Sequence, residues 1–296
     1  MRGYLLAWGV CGALALGTAQ GCSLTESLDG LTGADAGGAG DGVAPEGSAV
    51  DARVEAGSDA LDAAADGGSP ETSLTDRVDE TSPDAVEEPA TAPIAFVQIA
   101  VSTPSGSSGT VHAAFSMAQA AGDLNVVAVG WNDSTSTISG VTDSAGNVYR
   151  LAVAPTILGQ DLTQAVYYAS GIQGAAAGAN TVTVTFVQPA NVVDLRILEY
   201  SGLDPTSPLD AVGSGTGNGA GPASATVTTT TARELVFAAG MSTDTYSGAG
   251  AGFSDRIVTS AGDMAEDRVV STAGAVTAQA PLAASCEWVF QVATFR

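Results

Sequence analysis

Residues 181–186 read Thr-Val-Thr-Val-Thr-Phe, so an extended backbone puts Val182, Val184 and Phe186 on one face and three threonines on the other. A helix cannot bury a period of two, whereas an antiparallel strand with one dry and one wet face can. Segments of similar strand character recur at 94–101, 110–116, 124–131, 148–154, 163–169, 194–200, 223–230, 235–241, 255–259, 266–271, 275–280 and 287–295. Turn-forming clusters lie between them: Asp143-Ser-Ala-Gly-Asn147, 174–179, Asp204-Pro205, 213–222 and Thr272-Ala-Gly274. No stretch sustains the 3.6-residue period of a long helix. The expected fold class is all-β, an antiparallel β-sandwich or jelly roll.

The strands also repeat. Asp123-Leu-Asn-Val-Val-Ala-Val-Gly130 is echoed by Glu234-Leu-Val-Phe-Ala-Ala-Gly240, each an acid, a leucine and then a strand closed by glycine. Downstream, 165–170 is echoed by 266–271, 178–186 by 274–282 and 194–200 by 287–295, in the same order. This internal pseudo-repeat fits one jelly roll with two similar halves, or two tandem sandwiches of about 100 residues each. One β-sandwich domain over 93–296 is favoured, because 203–222 lacks the charge of a polar linker and the second half offers a thin core of its own.

Charge divides the chain. Against 32 acids stand nine arginines and no lysine, a net −23; of these, 17 acids and two arginines fall at 23–92, for a net −15. Residues 22–92 contain no aromatic side chain and only isolated Leu and Val, too little apolar surface to offset the entropy of ordering. They are expected to form a disordered acidic linker, which as a flexible coil of 70 residues would reach about 45 Å. A net −23 disfavours nucleic acid and anionic surfaces as partners, although the remaining −9 of 93–296 excludes them less strongly. Absent lysine removes Schiff-base chemistry, and one histidine with three cysteines cannot assemble the usual His/Cys zinc site.

Residues 1–21 carry Arg2 and an apolar run of 13 at 5–17, short of the roughly 20 residues that span a bilayer. The closing Ala19-Gln-Gly21-Cys22 resembles the lipobox of bacterial lipoproteins, with Ala where Leu is usual at the third position before the cysteine. That resemblance implies a signal peptide at 1–21, lipidation (a palmitate-type anchor) at Cys22 and, with Ser23 following, an outer-membrane or cell-surface address outside the cytoplasm. An ordinary secretory signal is the alternative.

A second resemblance covers essentially all of 93–296. Gly140-Val-Thr-Asp-Ser-Ala-Gly-Asn-Val-Tyr149, Ala165-Val-Tyr-Tyr-Ala169, Leu195-Arg-Ile-Leu-Glu-Tyr-Ser-Gly-Leu-Asp204 and the closing Trp288–Arg296 resemble an uncharacterised extracellular β-sandwich module of soil bacteria. The resemblance implies fold and location, and no chemistry.

Candidate sites are sparse. His112 falls on the wet face of its strand, and no Gly-x-Ser-x-Gly elbow accompanies it. Glu199, Glu234, Glu266, Asp267 and Glu287 are the acids available for glycoside hydrolysis by a carboxylate pair, although structural ion pairs at the sheet surface, with Arg196 near Glu199 and Arg268 beside Asp267, are the favoured account of them. Asp133, Asp143 and Asn147 in turns could give oxygen ligands to a structural Ca²⁺; the competing account is turn stabilisation. Tyr246, in the Gly-rich stretch 242–253, reads as an exposed aromatic that could contact a ligand. Trp131 and Trp288 fall in strands as core residues, and Cys286 reads as a buried, unpaired thiol. The expectation is a lipid-anchored, non-catalytic binding or structural module, whose partner is a polysaccharide or another surface protein. The alternative is a secreted glycoside-type hydrolase.

Overall fold

The computed structural model describes residues 92–219, 221 and 223–296. The signal-like segment, Cys22 and the acidic stretch up to residue 91 lie outside the described residues.

The first repeat contains eight strands: β1 (Ala95–Ser102), β2 (Ser107–Ala114), β3 (Leu124–Trp131), β4 (Ile138–Asp143), β5 (Arg150–Leu158), β6 (Leu162–Ser170), β7 (Thr181–Asn191) and β8 (Asp194–Ser201). The second contains seven: β9 (Leu209–Gly219), β10 (Ala223–Thr229), β11 (Glu234–Ser242), β12 (Ser254–Val258), β13 (Met264–Val270), β14 (Gly274–Ala280) and β15 (Cys286–Phe295). The all-β antiparallel sandwich is what the chain forms. Sheet β1-β8-β3-β6-β5 faces β2-β7-β4, and sheet β9-β15-β11-β13-β12 faces β10-β14. The orders β1-β8-β3-β6 and β2-β7-β4 are those of a jelly roll in which β5 has moved onto the larger sheet.

The two repeats match strand for strand: β1 with β9, β2 with β10, β3 with β11, β5 with β12, β6 with β13, β7 with β14 and β8 with β15. Of the two arrangements left open above, each repeat thus closes its own sandwich. The second repeat's own core is the thinner of the two, with five alanines under a two-stranded sheet, yet it is continuous. Phe290, Tyr246, Met264 and Val292 fill it together with the alanines and valines of β10 and β14.

The two five-stranded sheets also pack on each other through Val126, Val166, Leu198 and Tyr200 on one side and Leu235, Phe237, Ala265 and Phe295 on the other. The result is four stacked layers with two inner sheets covered on both faces. Strands β3 and β11 are buried along their whole length, which is why they are apolar almost continuously while β7 and β14 alternate.

Two strands depart from the sequence reading. Strand β4 is a short edge strand that the pattern did not single out. Strand β9 covers most of the glycine-rich 213–222, which reads as a turn because glycine occupies every second position. Gly213, Gly215 and Gly217 are packing sites: a Cβ on Gly215 would run into the Ser224 carbonyl oxygen, and one on Gly217 into the Trp288 ring.

Because β11 matches β3 and β12 matches β5, the Gly-rich segment 243–253 takes the place of β4 in the second repeat. It folds onto the sheet instead of projecting from it. Tyr246, expected to be exposed, is 1% accessible. Its ring lies 6.0 Å from that of Phe290 and above Gly240, where a Cβ would come within 2.5 Å of Tyr246 Cζ. The missing β4 leaves an apolar floor that only this loop can cover, so its one tyrosine is drawn inward.

Candidate functional site

Strand parity decides where each acid points. Arg196 and Glu199 are three apart on β8 and face opposite ways. Arg196, fully buried, points between the repeats and pairs with Asp194 at 2.9 Å. It donates to the Gly240 and Met264 carbonyls of the second repeat and to Gln164 Oε1. Its pseudo-equivalent Gln291 reaches the other way, donating to the Ala154 and Gln164 carbonyls and to Thr156 Oγ1. Gln164 in turn donates to the Ala239 carbonyl, Thr259 to Asp194, and Tyr200 to Asp267 at 2.7 Å. Asp263, also buried here, accepts from the Ser242 amide. Burial, opposed by Arg196 and reinforced by Asp194, lifts its carboxyl to about 8. This polar clasp went unrecognised in the sequence, where the available signal was an arginine set among Leu195, Ile197 and Leu198 of one strand.

The acids proposed for hydrolysis are held by the fold. Glu199 is 0% exposed and accepts from Gln98 Nε2 at 2.5 Å, while its Oε1 has no donor. Beside it, Asp123 is raised to about 6, chiefly by burial and then by the Glu199 carboxylate. Glu234, also 0% exposed, accepts from the amide and hydroxyl of Thr231. Glu266 lies beneath the 243–253 loop and accepts from the Gly250 amide at 2.7 Å. Burial is the main cause that raises Glu266 to about 7. Asp267 pairs with Arg256 of β12 through Nε at 2.7 Å and Nη2 at 2.8 Å. Its partner is therefore a cross-strand arginine and not its sequence neighbour Arg268, which points to the other face. Glu287 is half-buried and accepts from Asn218 at 3.4 Å.

The turn acids do not converge. Asp133 binds the Asn191 amide at the far end of β7, whereas Asp143 lies opposite Val182 near its beginning. Asp133 also accepts from the amides and hydroxyls of Thr135 and Ser136. Asp143 accepts from Asn147 twice, from Tyr149 and from Asn180. Burial opposes ionisation at both, and these donors outweigh it, holding both carboxyls below their ordinary value. Their oxygens are taken up by turn and interstrand bonds. Among the described residues, no group of three or more His, Cys, Asp and Glu is placed to hold a metal.

His112 is exposed on β2, with Nδ1 2.9 Å from Thr183 Oγ1. Trp131 is buried edge-on to Phe186, and Cys286 is a buried free thiol whose pKa burial raises. A cleft of about 680 Å³ lies where the described chain begins, lined by Ala92, Ile94, Gly202 to Pro205, Ala232, Arg233 and Arg296. None of the acids proposed for catalysis lines it. Comparison with protein-family models, with curated proteins and with solved structures finds no match.

Proposed function

We propose that this chain is a surface-displayed lipoprotein, anchored through Cys22 and spaced from the membrane by its acidic stretch. Its β-sandwich head then acts as a non-catalytic binding or structural module. One observation carries the non-catalytic part: Glu199, Glu234, Glu266 and Asp267 are all 0–3% exposed. Each is also engaged by a donor of the fold. Glycoside hydrolysis needs one carboxyl as acid and another as base or nucleophile, about 5–10 Å apart across a bond that the substrate can bring to them. Acids that brace a sheet interior cannot flank such a bond.

A polysaccharide-array screen of the full chain tests this reading. The expected result is retention of one or more glycans, or none, with no released product. Product release abolished by Glu199→Gln or Glu266→Gln would overturn it. The anchor is tested separately by fatty-acid labelling in a bacterial host, where Cys22→Ala is expected to remove the label.

A further inference from the structure

We infer that the cleft where the described chain begins binds an acidic sugar, a uronic-acid unit of a polysaccharide, through Arg233 and Arg296. The inference rests on the binding-module reading above and gives that module a ligand class and a site.

Arg233 occupies a strained position. Its φ is 62°, and among the described residues the only other non-glycine at positive φ is Val192, in the turn between β7 and β8. The first repeat shows which residue suits this backbone best. Gly122-Asp123-Leu124 stands where the second repeat has Arg233-Glu234-Leu235, since Leu124 pairs with Tyr200 as Leu235 pairs with Phe295. Gly122 has a φ of 97°, a conformation that glycine adopts freely and arginine does not. The second repeat therefore keeps an arginine where its own counterpart is glycine, and strain of this kind collects at ligand contacts. Nη2 of Arg233 donates to the Ala92 and Gly202 carbonyls, which fixes the guanidinium at the cleft wall.

By the same register, Arg296 stands where the first repeat has Ser201. Its Nη1 lies 3.7 Å from Asp210 Oδ1 and its Nε 3.4 Å from the Ser207 carbonyl oxygen. Both contacts are longer than the about 2.7–2.9 Å of a charge-assisted bond, and the side chain is 42% exposed. Arg196 and Arg256, by contrast, are closed onto Asp194 and Asp267 at 2.9 and 2.7 Å.

The cleft, at about 680 Å³, falls in the about 300–1,000 Å³ range of small-ligand sites. Ile94, Leu203 and Pro205 give it an apolar wall, but no aromatic lines it, so a neutral sugar finds no ring to stack on. Two guanidiniums instead offer forked donors to a carboxylate. Asp204 lines the same cleft, and its Oδ1 accepts from Thr206 and Ser207. A carboxylate has about four acceptor positions, so Asp204 can also take a sugar hydroxyl. A uronic acid brings both partners, a carboxylate for the arginines and hydroxyls for Asp204. An acidic peptide side chain brings only the charge that Asp204 repels.

The test is isothermal titration calorimetry of the full chain with trisaccharides of galacturonate, glucuronate, mannuronate and guluronate, each beside its carboxyl-reduced neutral form. At least one uronate should bind, and its reduced form should bind at least about tenfold more weakly. Arg233→Gly, which restores the residue of the first repeat, and Arg296→Gln should each weaken the uronate at least about tenfold. Failure of the wild type to bind any uronate, equal binding of the reduced form, or affinity unchanged in both variants would overturn the site. A merely structural role for Arg233, in holding Ala92, would lower the melting temperature of Arg233→Gly and leave its affinity as in the wild type. Should Arg233→Gly not fold, the exposed Arg296→Gln is read alone under the same criteria. None of the overturning results touches the non-catalytic reading, which falls only if the glycan array releases product.

Discussion

Arg196 shows how much one side chain can carry in this fold. Fully buried between the repeats, it is surrounded by Asp194, Asp263, Gln164 and two carbonyls of the opposite sheet. Such a group is held only where ion pairing and hydrogen bonds offset its desolvation. The Asp263 carboxyl, at about 8 in the folded protein, lies near 4 when unfolded. Folding therefore takes up a proton over that interval, and stability falls as pH rises from about 4 to about 8 before levelling off. Glu266, at about 7, acts in the same direction. Denaturant midpoints for the wild type should be lower at pH 8 than at pH 5, and Asp263→Asn should narrow that gap. An unchanged gap would show that Asp263 is ionised throughout. From sequence, Arg196 and Glu199 look like a surface pair. Strand parity separates them, and only the packing of the second sheet shows what Arg196 meets.

Among the elements, the alternating strands were legible and the glycine-rich segments were not. Composition cannot distinguish a glycine that turns the chain from one that admits a neighbour. Gly215 admits the Ser224 carbonyl, whereas a Cβ on Gly109, also in a strand, would meet nothing within 4 Å. Gly215→Ala should therefore cost at least about 1–3 kcal/mol through overpacking, and Gly109→Ala should stay within about 0.5 kcal/mol. Thermal denaturation of the two variants distinguishes them; equal effects would mean that β10 moves away freely. The same blindness misplaced Tyr246. Its loop resembles any Gly-rich connection until the absence of a β4 counterpart shows that there is a sheet face to cover.

At the scale of the whole head, two sandwiches share an inner apolar core and the Arg196 and Gln291 clasp. They should unfold together, giving one calorimetric transition whose calorimetric and van't Hoff enthalpies agree; two resolved peaks would show independent repeats. The sequence by itself determined the all-β class, nearly every strand and the order of the internal repeat. Alternation and turn chemistry are local properties that need no partner to be read. Tertiary structure alone decided that the repeats close separate sandwiches and stack by their larger sheets. It also decided which acids meet each other and which meet an arginine. Burial and charge pairing are set by contacts between residues that can lie more than a hundred positions apart, and no spacing along the chain records them.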